Sequence, residues 1–198
     1  MDTIEIAKKA LRAEAAMLSD LAEQVEGSII NAVELLVNCN GHVITSGVGT
    51  TGIAARRFAH LLCNVGCPAL FLHAGDSLHG SSGAVKTEDV VVLFSRTGET
   101  TETIKLAAIL AKRNTSMISL TAHPDSSLGR LSNVTIQVET SPDVDPYGGL
   151  MAVGSSLAME AMCDAMVHGV LEMKKTPAEH FVNGHPGGII QQMSEEIK

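Results

Sequence analysis

Apolar positions near the start of the chain recur at helical spacing: Ile4, Ala7, Leu11, Ala15, Leu18 and Leu21 or Ala22 form one stripe with polar residues between them. Gly27 interrupts it, and Ser28 to Val37 resumes the same period, so two helices precede the first strand. A long helix in that place either packs on a sister subunit or covers a face of its own sheet. From His42 the period changes. Short runs at His42–Thr45, Ala69–Leu72, Val90–Phe94, Met117–Leu120 and Thr135–Val138 read as strands, with helical segments near 51–65, 101–113 and 126–131 between them. This alternation predicts an α/β fold: a doubly wound, five-stranded, mainly parallel sheet flanked by helices in three layers. A long helix rich in Ala, Met and Gly follows at about Leu150–Met173. A tail from Thr176 carries Pro177, the run HPGG at 185–188 and a last short helix. No repeat, low-complexity run or long linker divides residues 1–198, which read as one domain.

Composition narrows the functional classes. The chain has 198 residues, 45% of them hydrophobic, with no Trp, one Tyr and four Phe, so its core is expected to be aliphatic and Ala-rich. The formal net charge of −8 and the lack of interleaved aromatics argue against a nucleic-acid groove. Backbone amides can bind a small anion without net positive charge, so an anionic small molecule stays allowed. No run approaches the roughly 20 apolar residues of a membrane span, and the charged N-terminus has no signal-peptide core, which points to a cytoplasmic protein. Cys39, Cys63, Cys67 and Cys163 show no paired metal-ligand spacing and are expected to be buried thiols. No metal or cofactor is expected.

Candidate chemistry centres on residues 90–102. The apolar run Val90–Phe94 stops at a turn containing Ser95, Arg96, Thr97, Gly98, Glu99 and Thr100, and a helical pattern starts near Thr101. A strand feeding a helix in this way presents amides without intrahelical acceptors at the positive end of the helix dipole. Hydroxyls add donors, Gly98 permits close approach, and Arg96 can supply a cation. The turn reads as a phosphate cradle, or as an ordinary helix cap, since Ser and Thr commonly precede helices. Gly47, Gly49 and Gly52 have GxGxxG spacing after a strand, but no acidic residue closes the second strand as a dinucleotide site requires. His73, Asp76 and His79 lie in a loop at the expected ligand end of the sheet, and His185 sits beside Pro186. Each is a proton-exchange candidate or a plain loop residue. Glu99 and Glu102 are helix-start acids, Glu102 being the better placed to reach a substrate carbon. Asp143 and Asp145 form an acidic loop, too few ligands for a metal.

These motifs resemble sugar isomerase (SIS) domains, whose hallmark S-x-S/T-G-E-T/S is matched by Ser95 to Thr100. More narrowly, the chain is similar to the D-arabinose 5-phosphate isomerase group. There G-x-G-x-S/T-G opens the first helix, H-x-G-(x)₃-H-G follows the second strand, and the tail carries S/G-H-P-G-G; these match 47–52, 73–80 and 184–188. The resemblance spans about Ala7 to Ile190. It implies a phosphosugar site formed by Gly49, Thr50, Thr51, Ser95, Arg96, Thr97, Thr100 and Asp143. It also implies acid/base roles for Glu102, His79 and His185, the last completing a neighbouring subunit's site in a homo-oligomer, a tetramer or dimer. Two positions depart from the group: Thr50 stands where it has a Lys, and Asp143 where it has a Glu. Arg96, where a small polar residue is usual, is expected to compensate electrostatically. Full-length isomerases often add a pair of CBS domains, and this chain ends before one.

The implied function is interconversion of an aldose phosphate and a ketose phosphate through an enediol, with a small-molecule sugar phosphate as partner and neither nucleic acid nor membrane. Glu102 is the expected base, with His79 and His185 handling hydroxyl protons and ring opening. The alternative is a non-catalytic phosphosugar sensor, since SIS domains also serve in transcription factors. A third relative, 6-phospho-3-hexuloisomerase, does not generally carry the HPGG tail.

Overall fold

Five consecutive buried residues, Val90–Phe94, can exist as a strand only where both faces of the sheet are covered. In the computed structural model, which describes residues 2–186 and 189–190, this run is β3, the central strand. The others are β1 (Val43–Ser46), β2 (Ala69–Phe71), β4 (Ser116–Thr121) and β5 (Val134–Gln137), in the order β2-β1-β3-β4-β5. All pairings are parallel. The helices are α1 (Thr3–Glu23), α2 (Ser28–Val37), α3 (Gly49–Asn64), α4 (Ala74–Ser77), α5 (Thr101–Lys112), α6 (Ser127–Leu131), α7 (Pro146–Gly149), α8 (Gly154–Lys174) and α9 (Ala178–Asn183). Single 3-10 turns occupy Ser81–Ala84 and Pro142–Val144.

Alternation along the strands divides the core in two. Val43, Val90, Val92, Phe94, Ile118 and Leu120 face a layer made by α2, α3 and α8, with Met17 and Leu21 of α1 added. Ile44, Val91, Leu93 and Met117 face α5 and α6. The sheet is thus doubly wound, as the alternation predicts, and its core is mainly aliphatic and Ala-rich, with Phe58 and Phe94 meeting edge to face at 6.1 Å between centroids.

Two expectations change. The long helix starts at Gly154 rather than near Leu150, because Tyr147, Gly148 and Gly149 adopt left-handed backbone, with φ of 56°, 66° and 91°. Asp145 then accepts the Val153 and Ser155 amides and so starts α8. Of the cysteines only Cys67 and Cys163 are buried, and burial pushes both thiols up; Cys39 is half-buried and Cys63 exposed. Along α1, Ile4, Leu11 and Leu18 of the stripe are exposed, while Met17 and Leu21 are buried.

Truncating Phe94 to Ala removes a ring with no solvent exposure from the junction of β3 with α3, and should cost about 3–5 kcal/mol in urea unfolding. A cost below about 1 kcal/mol would mean that the site's base is not packed as described.

Candidate functional site

The direction of winding reverses between β1 and β3. The chain leaves β1 into α3 on one face and leaves β3 into α5 on the other, which opens a crevice at the carboxyl ends of these two strands. Both helices start there without a side-chain cap: Val48 precedes α3, and Thr100 precedes α5 without capping it. Their first-turn amides and dipoles therefore face the same crevice. Thr51 ties the two starts together, its hydroxyl lying 2.9 Å from the Val48 carbonyl and 3.3 Å from the Phe94 carbonyl. Gly47 and Gly52 permit this tight turn: a Cβ on Gly47 would lie 3.0 Å from the Thr51 carbonyl, and one on Gly52 would lie 3.0 Å from the Gly47 carbonyl oxygen. Gly49 is left-handed, with φ of 58°, and it and Thr50 are exposed at the rim.

The turn after β3 is held from inside. Ser95 is 1% exposed; its Oγ lies 2.8 Å from Thr100 Oγ1 and accepts the Gly98 amide at 3.1 Å. A hydroxyl pair has two protons and needs only one for its mutual bond, so one remains to donate outward. Thr97 is exposed, and its hydroxyl accepts the Glu99 amide at 3.2 Å. Gly98 has φ of 69° and packs against Ser126, where a Cβ would collide with the Ser126 side chain. Glu99 accepts the Ser127 amide at 2.7 Å; the Ser127 amide and hydroxyl hold Glu99 below the usual glutamate range. Of the two helix-start acids, then, Glu99 is occupied. Glu102, in the first turn of α5, is half-buried and forms no hydrogen bond or ion pair among the described residues.

Arg96 turns to the loop before α8. Its Nη1 donates to Asp145 Oδ2 at 2.8 Å and lies 3.5 Å from Ser155 Oγ. Burial works to raise the Asp145 pKa, yet hydrogen bonds from Ser155 and Val153 together with the Arg96 charge hold it below the usual aspartate value. Asp143 is exposed on the 3-10 turn, and its own amide donates to the Ser141 hydroxyl. The buried acid of this loop is Asp145, which composition alone cannot tell from Asp143. The available signal is Pro146 directly after Asp145, which sets that aspartate at the cap position of the next helical turn.

The histidines separate. His79 is exposed, its amide donating to the Asp76 carbonyl at the end of α4, and α4 packs on α5, the helix that carries Glu102. His73 opens α4, with its Nδ1 buried and 3.9 Å from Asp76 Oδ2. His185 lies elsewhere. Its Nδ1 is 2.7 Å from the Phe181 carbonyl, and neighbouring His180 reaches the Cys63 carbonyl at 3.0 Å, at the far end of α3. The 16 residues of α3 span about 24 Å, so His180 and His185 sit at the opposite end of the sheet from the crevice. Gly187 and Gly188 of the HPGG run, and residues 191–198 of the last expected helix, lie outside the described residues. Among the described residues, no helix is long and apolar enough to cross a membrane.

A flavodoxin-like strand order with two uncapped helices at the switch point defines a doubly wound α/β domain with its ligand end at β1 and β3. The chain belongs to the SIS domain family, whose profile matches residues 35–169. It is 31% identical over 189 residues to arabinose 5-phosphate isomerase KdsD of Escherichia coli strain K12, an alignment covering 96% of this chain and 57% of that protein. The chain thus spans a little over half the length of the curated relatives it matches. Among solved structures it superposes on E. coli CFT073 c3406 in complex with arabinose 5-phosphate, with a TM-score of 0.89 and 29% identity, covering 94% of this chain and 100% of that one. A Listeria monocytogenes protein described as a sugar-phosphate isomerase gives a TM-score of 0.88 at 29% identity with the same coverage.

Because Glu99 ionises more readily folded than unfolded, its bond to Ser127 contributes stability above the ordinary glutamate pKa and loses it as pH falls through the depressed value. Urea midpoints from about pH 6 to 3 should therefore fall less steeply for Glu99→Gln than for the parent chain. Parallel curves would show that the contact adds nothing.

Proposed function

We propose that the chain is a phosphosugar isomerase of the aldose–ketose kind, acting on arabinose 5-phosphate or a closely related sugar phosphate. The observation that carries this reading is the turn at Ser95–Thr100, where hydroxyls and the uncapped start of α5 converge beside a half-buried Glu102 that has no partner among the described residues. The named activity of KdsD and the arabinose 5-phosphate complex of c3406 support the choice of substrate.

In this reading the phosphate sits on Ser95, Thr97 and Thr100 and the α5 amides, with Arg96 beside it. Gly49, Thr50 and Thr51 present the start of α3 to the sugar, and Asp143 lies at the rim. Remote phosphate binding positions the reacting carbons. Glu102 removes the proton from C2 of the open-chain aldose, the electrons forming the C1–C2 double bond of an enediol. The proton returns to C1, and the O2 hydroxyl proton moves toward O1, giving the ketose with no net change of atoms. His79 serves the hydroxyl protons. His185 does so only from a second copy, since in its own chain it lies at the far end of the sheet. The exposed Ile4, Leu11 and Leu18 of α1 supply a surface for such a copy. A positioned acid or base is worth about 10²- to 10⁴-fold in rate.

The test is ketose formation from a panel of pentose and hexose phosphates by the parent chain and by Glu102→Gln. The expected result is turnover of one sugar by the parent, a fall of at least about 10²-fold in the variant, and retained ligand binding. Loss of binding together with turnover would assign Glu102 a structural role. Thermal stabilisation by a sugar phosphate without any turnover would replace the enzyme with a sensor.

A further inference from the structure

Arg96 is the one Arg or Lys in the three loops at the ligand end of the sheet, residues 46–52, 73–83 and 95–102. It is not free to wander. Nη1 is held by Asp145 Oδ2 at 2.8 Å, and the Asp145 side chain is 1% exposed against 32% for Arg96. The other oxygen, Asp145 Oδ1, accepts the Val153 amide at 2.7 Å and the Ser155 amide at 3.1 Å, so both oxygens of one carboxylate are committed. One fixes the entry to α8 and the other fixes the guanidinium. The Arg96 carbonyl is pinned as well, accepting the Ala122 amide at 2.9 Å and the Thr121 hydroxyl at 3.2 Å. Among the described residues, Nε and Nη2 of Arg96 make no hydrogen bond. A guanidinium is a planar fork that can serve two acceptors from two edges, and one already anchored loses little freedom when it takes the second.

We propose that Asp145 is a positioning residue: it clamps Arg96 so that the two unused nitrogens are offered to the phosphate group on the Ser95–Thr100 turn, making the site prefer phosphorylated over unphosphorylated sugars. The inference rests on the phosphosugar reading above. Asp145 touches no substrate and acts only through Arg96. Because the same carboxylate starts α8, the cation is fixed to the helix scaffold rather than to a surface loop.

The test compares the parent chain with Asp145→Asn and Arg96→Gln, singly and combined, by calorimetric titration with inorganic phosphate and arabinose 5-phosphate, and by KM and kcat where turnover is measurable. Asparagine keeps an oxygen for the Val153 and Ser155 amides but removes the charge that holds the guanidinium. Each single variant is expected to weaken phosphate binding by about 10- to 100-fold, with the loss in KM rather than kcat. The double variant should be no weaker than Arg96→Gln alone, because the two residues act as one unit. If Asp145→Asn does not fold, Arg96→Lys replaces it: an ammonium lacks the planar fork that serves two acceptors from two fixed edges, and affinity should fall by about tenfold. Unchanged phosphate affinity in the folded variants, or fully additive losses in the double variant, would overturn the positioning role while leaving the phosphosugar reading intact. A parent chain that binds neither inorganic phosphate nor any sugar phosphate would overturn both.

Discussion

Gly98 stands where no side chain fits. It packs against Ser126 with a left-handed backbone, its carbonyl accepts the Leu128 amide at 3.1 Å, and the next residue accepts the Ser127 amide. The exit of β3 is thereby tied to the exit of β4, and the turn that begins α5 cannot relax toward a capped helix start. Thr100, which occupies the capping position, spends its hydroxyl on Ser95 instead. The positive end of α5 is consequently left open to the crevice in a fixed place, and a preorganised set of amides needs little rearrangement to receive an anion.

Such a site suits a chain of net charge −8, because fixed peptide dipoles act within the first helical turn while surface charges are screened by solvent. Arg96, the one cationic side chain that the three ligand-end loops carry, is balanced by a buried carboxylate, which trades bulk attraction for direction. The remaining layers serve that arrangement. Phe94 and Phe58 lock β3 to α3, Thr51 stitches the start of α3 to the end of β3, and α4 leans on α5 with His79 at its end.

Much of the scaffold was legible because periodicity is local. Val90–Phe94 reads as a doubly covered strand from its composition, and the observed β3 has the same bounds; the starts of α2 and α5 also match. Gly27 and the shift at His42 mark real changes of element. The start of α8 was not legible, since it depends on a left-handed Tyr147 and on Asp145 folding back to accept amides eight and ten residues on. Nor did spacing reveal that Asp145 rather than Asp143 is buried, or that Arg96 points toward it across 49 residues of sequence. His185 shows the same limit in another form: the residue is visible in the chain, but its place at the opposite end of the sheet follows from the length of α3 and the path of α8.

In the phosphosugar reading proposed above, the phosphate of a sugar phosphate rests on the turn between β3 and α5. Amide chemical shifts of isotopically labelled protein, followed through a titration with arabinose 5-phosphate and with inorganic phosphate, test it most directly. Both ligands are expected to move the amides of residues 97–103, with the sugar phosphate alone extending the change to residues 49–52. Shifts confined to the groove beneath the α1–α2 connection, lined by Gln24, Ile29, Thr135 and Gln137, would contradict it, as would a turn whose amides do not respond to either ligand.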